Sequence, residues 1–149
     1  MKRISLYLAV VLLCAACGDS QQKKAEQLLE EARAHFTQGQ LDEARADIDS
    51  LRKTYPEQIE TRKAALRLYQ DIELKRTQEA FMQTDSVLQI VEKEYNDLQA
   101  QVDEHKAALK ATPEELTLLT QKRIERDSIR TRFETLGATI RYIHKKQKE

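Results

Sequence analysis

The side chains able to do chemistry in this 149-residue sequence are scattered. His35, His105 and His144 have neither a second His nor a Cys at ligand spacing, so no zinc signature forms. Glu31 stands one turn before His35, the spacing of a surface pair rather than a site. Neither a glycine-rich phosphate loop nor a nucleophile motif is present. Carboxylates are plentiful, but along helical stretches they alternate with Lys and Arg, the pattern of a solvated face. The residues offer no catalytic, cofactor-binding or metal-ligating candidates and argue against an enzyme. The remaining reactive groups are Cys14 and Cys17, both near the N-terminus. The body holds no Cys and so has no internal disulfide to make.

Composition points to helices. Formal net charge is zero, from 25 basic and 25 acidic residues, so no global field favours nucleic acid. Charged residues make up 34% and aromatics 5%, with three Gly, two Pro and no Trp. Such a chain supplies apolar stripes rather than a thick core. Disorder is the competing reading, and balanced charge with sustained heptads argues against it.

Lys2 and Arg3 precede an apolar run from Ile4 to Leu13, then Ala15, Ala16 and Cys17. About 20 apolar residues are needed to span a bilayer, and this run is shorter, so residues 1–16 read as a signal peptide. The Ala15-Ala16-Cys17 sequence resembles the lipobox of bacterial lipoproteins. The resemblance implies that Cys17 is the lipidation site and the new N-terminus, with residues 17–22 as lipidated Cys and tether. Cys14 departs from the family pattern, which usually has Leu there. An ordinary signal peptide cut after Cys17 is the alternative. Gly18 stands where enteric-type lipoproteins retained at the inner membrane have Asp, which favours the outer membrane.

Residues 23–76 form the expected head. Leu28, Leu29, Ala32 and Phe36 share one face of a helix over about Lys23 to Gln38, ended by Gly39. A second helix, about Leu41 to Thr54, carries Leu41, Ala44, Ile48 and Leu51, and Tyr55-Pro56 closes it. Leu28, Ala32, Phe36, the turn from Gln38 to Ala44, Ile48, Leu51 and Pro56 together resemble one tetratricopeptide repeat. The resemblance implies two antiparallel helices crossing at Ala32 and Ala44. One repeat does not bury its own face, so a helix from about Glu57 must cover it through Ala64, Ala65, Leu68, Tyr69 and Ile72.

Residues 77–149 form the expected hairpin. The stretch Glu57 to Ala111 holds no Pro or Gly, and its apolar residues Leu74, Phe81, Leu88, Tyr95, Val102 and Leu109 recur in heptads. Thr112, Pro113 and Glu115 mark a new helix start with a capping box. The second arm carries Leu116, Leu119, Ile129, Phe133, Leu136, Ile140 and Ile143. A fold at Thr112 sets Leu98 near Arg126, Val91 near Phe133 and Phe81 near Ile143. Lys122 and Arg126 fall on the stripe. They either cover apolar surface with their stems or await a partner's carboxylates.

The expected fold is therefore all-α, a helical head with a repeat-like pair plus a long antiparallel two-helix coiled-coil hairpin. The expected function is a non-enzymatic, membrane-anchored envelope lipoprotein that acts as an interaction or scaffold module. A holdase-like periplasmic chaperone gripping clients with its arms is the alternative. The expected partners are a membrane, through the lipid anchor, and an envelope protein. The narrow stripe also suits a homo-oligomer, and nothing suggests nucleic acid.

Overall fold

In the computed structural model, side chains are described for residues 20–149. The signal-peptide and Cys17 expectations lie outside the described residues. The order is α1 (Lys2–Thr37), α2 (Leu41–Thr54), α3 (Ile59–Ala107) and α4 (Pro113–Lys146). No strand occurs among the described residues. The chain is all-α, and it divides into two compact units, Met1–Glu73 and Leu74–Glu149. Ser20, Gln21 and Gln22, expected in a tether, are helical. None of the three is a Gly or Pro that would break the helix.

In the first unit, α1 ends in a glycine turn. Gly39 takes φ 78°, and the amide of Gln40 donates to His35 O at 2.9 Å while that of Gly39 donates to Phe36 O at 3.1 Å. This paired pattern satisfies carbonyls that the last helical turn leaves free. The reversal lays α2 against α1. Ala32 and Ala44 are both 0% exposed, so the small residues are buried as close helix packing requires. Leu29, Ile48, Leu51, Ala65, Leu68 and Ile72 complete the core, with Phe36 and Tyr69 packed at its margin. The start of α3 thus covers the helix pair, as the exposed face of a lone repeat demands.

Two polar ties fix the stack. His35 Nδ1 and Asp47 Oδ2 are 2.7 Å apart, joining α1 to α2. Arg45 lies 5.5 Å from the centre of the Tyr69 ring and 3.2 Å from Glu73 Oε1, joining α2 to α3.

In the second unit, α3 from Leu74 onward packs antiparallel against α4. Thr84, Leu88, Val91, Tyr95 and Val102 are buried along one heptad row. Phe81 stacks on Phe133 with ring centroids 4.3 Å apart, and Glu92 pairs with Arg130 at 2.5 Å. Among the described residues, α4 has no buried residue, and its seam residues Leu119, Ile129, Phe133, Leu136, Ile140 and Ile143 are all half-buried.

The register differs from the expected one. Arg126 faces Tyr95 rather than Leu98, and Phe81 meets Phe133 and Gly137 rather than Ile143. The cause is the end of α3. That helix stops at Ala107, not Ala111, so the reversal is centred ahead of Thr112 and the arms slide past each other by a turn or more.

Candidate interaction surfaces

The turn of the hairpin is the most sharply built surface. α3 ends with the same bond pattern as α1: Lys110 N donates to His105 O at 2.8 Å, and Leu109 N donates to Lys106 O at 3.0 Å. The left-handed position is here Leu109, with φ 54°. Its side chain is 95% exposed, so it is not the seam residue its heptad position suggests. Three residues later Thr112 begins the capping box. Its hydroxyl accepts from Glu115 N at 3.2 Å, and Glu115 Oε2 accepts from Thr112 N at 3.0 Å. The other oxygen of Glu115 lies 2.7 Å from His105 Nδ1, which ties the end of α3 to the start of α4. The Thr112 amide, then His105, hold the Glu115 carboxyl below its ordinary value. A loop braced at both ends therefore presents Leu109, with Leu116 and Leu118 also exposed in the first two turns of α4.

A non-Gly residue in the left-handed region costs about 1–2 kcal/mol, and Leu109 gains no burial in return. Leu109→Gly is expected to stabilise the second unit by about 0.5–1 kcal/mol, after allowance for the larger unfolded-state entropy of Gly. A urea melt that shows loss of stability contradicts the strain assigned to this residue.

Next along the hairpin is a charged layer. The Arg126 guanidinium lies 4.0 Å from the centre of the Tyr95 ring and bonds Asp127 at 2.7 Å. Lys122 bonds Glu94 of α3 at 2.8 Å and Glu125 at 3.0 Å. The hydrogen bonds that Lys122 donates to these two carboxylates raise its pKa. The carboxylates thus come from this chain, and Arg126 covers an aromatic face with its cation, as long basic side chains on a seam can do.

Shallow clefts lie among the described residues of the first unit. One, of about 350 Å³, lies between α1 and α3 and is lined by Arg33, Glu60, Lys63, Ala64, Arg67, Leu68 and Asp71. Within it Lys63 is bonded to Glu60 at 2.8 Å, and Arg33 to Glu30 at the same distance. Another, of about 230 Å³, is lined by Arg52, Ile59, Arg62, Lys63 and Leu66, with Ile59 and Leu66 well exposed. Neither contains a His, a Cys or a hydroxyl beside a base.

His35 and His105 each occupy a helix C-terminus and each bind one carboxylate. In both pairs the His and its carboxylate sit across a helix reversal, where they brace the turn. No group of three or more potential metal ligands occurs among the described residues. No described helix is long and apolar enough to cross a membrane. No protein-family model, curated protein or solved structure matches the chain.

Sequence reasoning missed Leu109 as an exposed, left-handed residue, because nothing in a Leu between two apolar heptad positions signals a helix stop. It also missed the Tyr95–Arg126 stack, which depends on the register. The heptad position of Tyr95 opposite a basic stripe residue was the available signal.

Proposed function

We propose that this chain is a non-enzymatic lipoprotein of a bacterial envelope, held at the outer membrane through Cys17, that acts as an interaction or scaffold module. The observation that carries the interaction reading is the pairing of the hairpin arms. Contacts run from His105–Glu115 beside the turn, through Tyr95–Arg126 and Glu92–Arg130, to Phe81–Phe133. Arms paired in this way offer their outer faces and turn to a partner and keep the inner row covered. The anchor rests on the sequence: a small pair before Cys17, after an apolar run too short to span. Three acyl chains, which the lipobox resemblance implies, hold a protein firmly where a single chain is marginal.

A holdase is the second reading, favoured by exposed Leu109, Leu116 and Leu118 at the turn. Crosslinking in cells separates the two. An adaptor yields one defined envelope protein, and a holdase yields many unrelated clients.

Cys17→Ala is expected to release the protein from the membrane fraction and to abolish labelling by a fatty acid. An Ala variant that still fractionates with membranes, together with a parent chain that takes up no label, removes the anchor.

A further inference from the structure

α4 carries two heptad rows. One, which includes Arg126 and Phe133, meets α3. The other lies outward and runs Gln121, Ile124, Ser128, Thr131, Thr135 and on to Tyr142, at alternating steps of three and four. All of these are exposed, Ile124 by 63% and Tyr142 by 60%. The row has no charged member, in a helix otherwise rich in Arg and Glu. α3 is the internal comparison: its matching outward row, Glu79, Gln83, Ser86, Ile90, Lys93, Asp97, Ala100 and Glu104, is charged at four of its eight positions. A solvated face looks like that of α3, whereas spacing at 3.5 residues without charge is what a second helix reads.

Burying this row costs little. The hydroxyls of Thr131 and Thr135 already donate to the carbonyls of Asp127 and Thr131, at 2.9 and 2.8 Å, so they bring no unsatisfied donor into an interface. The helix also lacks cover: no residue of α4 among those described is buried, so one neighbour leaves it half-partnered.

Charge selects the occupant and its direction. Asp127 and Arg132 flank the row on opposite sides, five residues apart. In a parallel pair of identical helices, such flanking positions come level across the interface, so Asp127 of each copy meets Arg132 of the other in mid-row, while the like-charged Arg141 and Lys146 come level only at the end of the helix, where Lys146 is already bonded to Glu149. Arg132 has no hydrogen-bond or ion-pair partner among the described residues. Antiparallel pairing through the same row sets Asp127 against Glu134, or Arg132 against its own counterpart.

We propose that a second copy of this chain docks on the outer row of α4, helix parallel to helix, so that two hairpins stand side by side. The test uses disulfide crosslinking of the full chain, whose described residues hold no Cys. Gln121→Cys lies level with itself only in a parallel pair. Ser86→Cys, on the outward face of α3, is the control. Under mild oxidation Gln121→Cys is expected to give at least five times the dimer of Ser86→Cys and of the parent chain. Adding Ile124→Glu, at a residue exposed enough to leave the hairpin folded, should return it to the control level. Helicity by circular dichroism checks that folding. Dimer no greater than the control, or dimer indifferent to Ile124→Glu, overturns the proposal. Adducts of Gln121→Cys with a different protein in place of the dimer also overturn it.

Discussion

Ile48→Ala is expected to destabilise the first unit by about 2–5 kcal/mol, the range for removing a buried Ile side chain to Cβ. Ile48 is 0% exposed and sits on the helix that packs α1, between Ala44 and Leu51, which are equally buried. The loss has two parts. The transferred methyl groups no longer leave water on folding, and the cavity left behind is filled only as far as the neighbours can move. The helices that surround it are braced by His35–Asp47 and by Arg45 against Tyr69 and Glu73, which limits collapse. The larger part of the range is therefore expected. Set against a typical total of about 5–15 kcal/mol, such a loss is visible as a large fall in the urea midpoint. Ile59→Ala is the control, since Ile59 is 62% exposed and its truncation should stay within about 0.5 kcal/mol. Equal effects from the two substitutions would remove the core assigned to this unit.

The second large effect is expected at Tyr95. It is 9% exposed, and its ring supports the Arg126 guanidinium at 4.0 Å. Tyr95→Ala is expected to cost about 3 kcal/mol, the low end of the aromatic-to-Ala range, because the seam partners on α4 are only half-buried. It strands Arg126 on the seam with Asp127 as its remaining partner. Tyr95→Phe keeps the face that attracts the cation and should cost little. Arg126→Leu keeps apolar volume and removes the cation, and it should lose no more than about 0.5–2 kcal/mol. A ranking in which Tyr95→Phe is as damaging as Tyr95→Ala would contradict the ring–guanidinium stack.

The two reversals show what a sequence displays and what it conceals. Both helices end in the same pair of hydrogen bonds, and both place a His three residues before the cap. At the first, Gly39 occupies the left-handed position, and only Gly adopts that conformation without steric cost. The turn and the bounds of α2 could therefore be read directly. At the second, Leu109 occupies it, and the chain carries the strain with no local signal. Heptad counting runs through such a stop. The hairpin, its capping box and most members of each row were legible because they follow from Pro113, Thr112 and periodicity; Leu109 and Leu116, next to the turn, are exposed instead, and Thr84 is buried in the row without an apolar side chain to announce it. The register was not, because it depends on where the loop begins. The charge-free outer row of α4 was also present in the sequence. It stands out only once the inner row is known to be occupied by α3.

The account depends most on arms that stay closed. Spin labels at Glu92 and Glu134, in the full chain, measure this directly. Glu92 is bonded to Arg130, one turn before Glu134, so the label sites lie on neighbouring helices close in level. Helix axes 8–10 Å apart, with the reach of two labels, give an expected intramolecular distance under about 25 Å. The distribution should be narrow and unchanged when an unfolded client protein is added. A distance near 60 Å, the rise of one continuous helix over that interval, would contradict the hairpin itself. A distribution that broadens or lengthens with the client would contradict the interaction module and leave a chaperone that opens its arms.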